Sequence, residues 1–186
     1  GLIPHSDLYR NSLSLNTGLR VNRNFRLSTN IDVSRNNSDN RPAGERGTNP
    51  LQWAYNVSPH TDIRDLQQYW MPGQEGIQQR SQYKGAYNNP YFLANEVRNS
   101  FVRDRLFGNV RADWQLSPSF SLMARYALDT YSEKREMKIA QSYTDDPGGA
   151  YGIIDLKNFE SNADFLLTYK KEWNDLSLSV SVGGNT

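Results

Sequence analysis

The chain opens on an alternation of apolar and polar residues. Leu13, Leu15, Thr17, Leu19 and Val21 alternate with Ser12, Ser14, Asn16, Gly18 and Arg20. After a short polar turn, Phe25, Leu27, Thr29, Ile31 and Val33 alternate with Arg26, Ser28, Asn30 and Asp32. Successive strand side chains point to opposite faces, so this period of two predicts two strands, each with one apolar face. The pattern recurs. Leu106, Gly108, Val110, Ala112, Trp114 and Leu116 share one face, and Arg105, Phe107, Asn109, Arg111, Asp113 and Gln115 the other. Phe120, Leu122, Ala124, Tyr126 and Leu128 follow after a Ser-Pro-Ser turn. A third hairpin pairs Ala163, Phe165, Leu167 and Tyr169 with Leu176, Leu178, Val180 and Val182. Six strands are expected, in hairpins spanning about 8–35, 101–135 and 159–184.

The connections alternate in length. Turns within hairpins are short: Asn22 to Asn24, Ser117 to Ser119 and Lys170 to Asp175. Connections between hairpins are long, at about 36–99 and 137–158. Each apolar band covers about nine to eleven residues, the length a tilted strand needs to cross a bilayer. Each band begins at a short turn, beside Phe25, Trp114, Phe120, Tyr169 or Trp173, and gives way to polar stretches such as "SRNNSDN" and "YSEKRE". Short turns, long opposite loops, aromatic girdles and dyad alternation together predict an outer-membrane barrel. The expected fold is all-β, an antiparallel transmembrane β-barrel segment. Bacterial barrels need about eight strands or more, so six point to part of a larger one. The chain begins at Gly1 without Met and stops just after a strand-like run, which fits a piece of a longer protein. Residues 1–186 are then one part of a barrel domain, with the loops at 36–99 and 137–158 on the extracellular side.

Composition narrows the rest. Twenty-one Lys and Arg against 20 Asp and Glu give no basic field for nucleic acid. The absence of cysteine excludes disulfides, thiol catalysis and Cys-ligated metal. His5 and His60 stand apart, without metal-ligand spacing. "TDDPGGAYG" lacks the spaced acids of a calcium loop and reads as a turn. No nucleophile motif or phosphate-binding glycine loop occurs, so no enzyme, metal or cofactor is expected.

The stretch from Asn89 to Glu136 resembles the SusC/RagA family of TonB-dependent outer-membrane transporters. The likeness lies in Asn89-Pro90-Tyr91, in Asn99, in Arg105-Leu106-Phe107-Gly108-Asn109, and in Phe120 to Tyr131 within "SFSLMARYALDTY". The opening stretch, "GLIPHSDLYRNSLSLNTGLRVNRNFRLSTNIDVSRNNSDN", is similar to another strand pair of that family. The resemblance implies a plugged barrel of about 22 strands. It also implies import of glycans or oligopeptides, energy passed by TonB, and a SusD-like surface lipoprotein as lid. The family's N-terminal plug, TonB-contacting segment and closing C-terminal strand are expected to lie outside this sequence. The implied partners are the rest of the barrel and its plug, the lipoprotein, TonB, the substrate and the lipid bilayer. Two other readings stay open: a non-transporter outer-membrane barrel in secretion or assembly machinery, and a soluble all-β binding domain.

The first long loop is rich in aromatics: Trp53, Tyr55, Tyr69, Trp70, Tyr83, Tyr87, Tyr91 and Phe92, with Arg64 and Arg80. Disordered segments are poor in aromatics. Rings beside amides and guanidiniums suit sugars, extended peptides or a protein lid. Trp53, Trp70 and Tyr87 are therefore the candidate substrate or lid contacts. "GERG" and "MPGQEG" are expected to turn within the loop.

Overall fold

The computed structural model describes residues 3–42, 47–81 and 87–186. Tyr83 and the Gly44-Glu45-Arg46 part of "GERG" lie outside them. Six strands form one antiparallel sheet in chain order: β1 (Leu8–Arg20), β2 (Phe25–Ser38), β3 (Val97–Gln115), β4 (Phe120–Ile139), β5 (Ala150–Trp173) and β6 (Leu176–Asn185). Three helical turns fall between β2 and β3: α1 (Pro50–Tyr55), a 3₁₀ turn (Ile63–Leu66) and α2 (Pro90–Glu96). No helix among the described residues is long and apolar enough to cross a membrane.

The strands outrun the apolar bands. β4 continues to Ile139 and β5 starts at Ala150, so the second long connection shrinks from the expected 137–158 to 140–149. β3 likewise starts at Val97, and the β5–β6 turn is only Asn174-Asp175. Ladder hydrogen bonds need no apolar side chain, so polar stretches pair as readily wherever water can solvate their faces. Glu136 accepts from Tyr151 Oη at 2.9 Å and pairs with Lys138 at 3.1 Å in this extension.

Two compact units are distinguished: residues 1–10, 36–103 and 133–156, and residues 11–35, 104–132 and 157–186. The second unit holds the strand segments nearest the short turns. Those turns are locally specified. Asn22 Oδ1 accepts the Asn24 N–H at 2.8 Å, and Ser117 Oγ accepts the Ser119 and Phe120 N–H groups at 3.3 and 3.2 Å. Asn174 takes a left-handed φ of 38°, which asparagine tolerates better than most residues.

The β5–β6 register displays the two faces. Leu167 lies opposite Val182, Tyr169 opposite Val180, and Trp173 opposite Leu176. The alternate pairs are Thr168–Ser181, Lys170–Ser179 and Glu172–Ser177, with Thr168 Oγ1 and Ser181 Oγ 2.9 Å apart. The apolar face is uncovered. Leu13 is 73% exposed and Val182 65%, and Leu15, Leu19, Val110, Leu176 and Val180 are exposed too. No apolar side chain of this unit is buried among the described residues. Its polar face bonds to itself instead: Ser14 to Asp32, Asn30 to Asn16, Arg105 to Asp129, and Arg125 to Asp164.

One close approach fixes β2 against β3. A Cβ on Gly108 would sit 2.3 Å from the Asn30 carbonyl oxygen, while Thr29 Oγ1 donates to the Asn109 carbonyl at 2.8 Å. Only glycine fits there.

The first unit has a conventional small core of Phe92, Leu93, Val97, Ile139 and Tyr143.

Candidate functional site

The long connection between β2 and β3 is ordered by its asparagines. Asn49 and Asn89 each precede a proline, and each caps a helix. Asn49 Oδ1 accepts the Leu51 N–H at 3.1 Å; Asn89 Oδ1 accepts those of Tyr91 and Phe92 at 2.8 and 3.4 Å. An amide at the N-cap satisfies a donor that the first turn leaves over, and proline at the next position has no N–H to satisfy. Asn89 also donates to the Leu66 and Arg80 carbonyls at 2.9 and 2.8 Å. This buried side chain therefore holds α2, the 3₁₀ turn and the segment after Gln79 together. Asp62 caps the 3₁₀ turn, accepting the Arg64 N–H at 2.9 Å. The Arg64 guanidinium keeps the Asp62 carboxyl below the ordinary carboxylate range.

"MPGQEG" forms the bend of a small hairpin. Gly73 and Gly76 both take φ of +77°, and Trp70 bridges Gln79 across it. Gln79 is buried and fully engaged. Its Nε2 donates to Asn88 Oδ1 at 2.8 Å and to the Ser142 carbonyl. Asn88 in turn donates to Thr144 Oγ1 at 2.7 Å, tying this loop to the 140–149 connection.

The three candidate contact residues divide. Trp70 turns inward: its ring meets Phe92 edge-on at 5.3 Å and Tyr69 at 5.7 Å, and it packs on the core. Trp53 and Tyr87 form a second pair, edge to face at 5.5 Å, and Trp53 Nε1 donates to the Gly47 carbonyl at 2.8 Å. Tyr87 is exposed, and Tyr55 at the end of α1 is 88% exposed. Trp53 packs on the same core as Trp70 and both are half-buried, so of the three candidates only Tyr87 is exposed. Tyr69 donates to Glu96 Oε1 at 3.0 Å; burial first, and then that carboxylate, push its phenol pKa up. Tyr143 lies in the core, and burial followed by nearby Asp145 raises its pKa to about 12.

Sequence reasoning missed the amide network of Gln79, Asn88 and Asn89, although the two Asn-Pro pairs were its visible signal. Among the described residues no group of three or more His, Asp or Glu could hold a metal.

No protein-family profile and no curated protein matches the sequence. Solved structures do. A chain of the RagAB peptide importer, in its "closed-closed" state, superposes with a TM-score of 0.66 at 16% identity. The match covers 96% of this chain and 20% of that one, so this chain spans about a fifth of the importer chain's length. At that identity the likeness establishes a shared fold: this six-stranded sheet has the form of about a fifth of that chain.

Proposed function

We propose that this chain is part of the barrel wall of an outer-membrane TonB-dependent transporter, importing glycans or oligopeptides beneath a SusD-like lipoprotein lid. One observation carries the proposal: a six-stranded sheet leaves a whole apolar face uncovered while its opposite face bonds to itself. In water so large an uncovered apolar surface is a liability. Against lipid it is the stabilised arrangement, and the polar face then lines a lumen. The likeness to an importer chain supports the transport role. The free edges of β1 and β6 need further strands, because lipid cannot satisfy unpaired backbone groups; the remainder of a barrel of about 22 strands would supply them.

The short turns then face the periplasm and the β2–β3 connection the outside. Tyr87 stands exposed for substrate or lid, with the half-buried Trp53 ring edge to face against it. No catalytic step or cofactor belongs to this role.

The test is fractionation and uptake with the complete gene product. It should fractionate with the outer membrane, and its loss should abolish uptake of one glycan or peptide class. A complete product that stays soluble without detergent would sink the proposal.

A further inference from the structure

We propose that the first compact unit carries a pocket for the C-terminal carboxylate of a short peptide whose last side chain is apolar. The proposal rests on the transport role above and narrows the cargo. A cavity of about 410 Å³ opens beside the start of β3. Small-ligand clefts run from about 300 to 1,000 Å³, so one terminal residue fits. Its walls include Arg41, Phe101, Arg135, Met137, Ile153 and Ile154.

The charge is unbalanced in favour of an anion. Glu133 is buried, and both Arg103 and Arg135 donate Nε to it. Arg41 adds a further guanidinium, 5.5 Å from the centre of the Phe101 ring. Among the described residues no carboxylate pairs with Arg41, and Arg135 has none besides Glu133. The acid in the wall itself, Glu136, is occupied by Lys138 at 3.1 Å and by Tyr151 Oη at 2.9 Å. An incoming carboxylate would meet the exposed guanidiniums of Arg41 and Arg135, and charge-assisted hydrogen bonds to a carboxylate are the strong ones.

The remaining walls decide the class. Phe101, Met137, Ile153 and Ile154 offer an apolar seat and no partners for hydroxyl groups. Asn99 already donates its amide to Thr48 Oγ1 at 3.0 Å. A neutral sugar would find partners at Ser100 and the arginines but would leave the apolar seat unused. A carboxylate joined to an apolar side chain satisfies both halves of the pocket.

The experiment uses the complete barrel protein in detergent, titrated with N-terminally labelled Gly-Gly-Ser-Leu as free acid and as C-terminal amide, with maltohexaose as the neutral sugar. The free acid should bind at least about tenfold more tightly than the amide, as loss of a charged hydrogen-bond partner implies. Arg41→Gln should remove that preference and leave amide binding unchanged. Arg135→Gln should do the same; because it also uncovers Glu133, Arg41→Gln is the deciding variant. Equal binding of acid and amide, no effect of Arg41→Gln, tighter binding of maltohexaose, or no binding at all each overturns the pocket. Heat-modifiable migration of the same samples checks the barrel separately. A folded barrel indifferent to the carboxylate refutes this pocket alone, and a soluble product that still prefers the acid refutes the transport role alone.

Discussion

Gln79 and Asn89 are both buried, and the Gln79 side-chain oxygen accepts the Asn89 backbone N–H at 2.7 Å. That bond joins the small hairpin to the N-terminus of α2. Gln79→Leu keeps comparable bulk but strands the Asn89 N–H and takes the Gln79 donor from the Ser142 carbonyl, while Asn88 Oδ1 keeps the Thr144 N–H at 3.0 Å. Each buried orphan costs about 1–3 kcal/mol. The loop should then become protease-sensitive near α2 while the barrel stays folded. Cleavage unchanged from wild type would mean that the network is not what orders the loop.

The half-buried tryptophans and the exposed Tyr87 should separate in their effects. Trp70→Ala removes a ring packed on Phe92 and should cost about 3–5 kcal/mol of local stability. Tyr87→Ala, at an exposed ring, should cost less stability, yet weaken substrate or lid binding by about 1–3 kcal/mol as hot-spot contacts do. Trp53→Ala, at a ring that packs on the core as well as on Tyr87, should lower both stability and binding. Surface abundance and binding, measured in parallel for the three variants, decide this. Normal binding in both Trp53→Ala and Tyr87→Ala would make the pair a packed rim.

How much of this was legible in the sequence follows from the physics of each part. The six strands and their faces were, because alternation such as Leu176, Leu178, Val180 and Val182 against serines is a local signal. Strand ends were not. "EKREMK" and "YGIID" carry no apolar band, and their pairing depends on the neighbouring strand. The bends at Gly73 and Gly76 were legible as turn chemistry. Trp70's inward orientation was not, since it depends on Phe92, which lies well away along the chain. The Arg41–Phe101 contact was invisible for the same reason.

Gly108 offers a sharp local test. Alanine there would place its methyl against the Asn30 carbonyl and force β2 and β3 apart. A cost of about 1–3 kcal/mol is expected, as for overpacking generally. The measurement is the denaturant midpoint of heat-modifiable barrel. Gly148→Ala, where an added Cβ meets nothing within 4 Å, is the control and should be near neutral.

Tyr143 makes the loop alkali-sensitive. Its folded pKa lies above the ordinary value of about 10, so the stability it lends is fully present below that value. It is lost as pH rises from about 10 through about 12. In a difference titration of tyrosinate absorbance, wild type minus Tyr143→Phe should reveal one phenol ionising near 12. Ionisation of that phenol near its ordinary value would mean that the core around Phe92 and Ile139 is open to water.

The face assignment itself can be tested most directly on β6. The chain has no cysteine, so single cysteines can be placed cleanly. Spin labels at Ser177, Leu178, Ser179, Val180, Ser181 and Val182, in the complete protein reconstituted into bilayers, report access to oxygen dissolved in lipid and to a water-soluble nickel chelate. Labels at Leu178, Val180 and Val182 should favour oxygen, and labels at the three serines should favour the chelate, alternating residue by residue. Uniform access along the strand, or oxygen preference at the serines, would contradict a barrel wall with its apolar face in lipid.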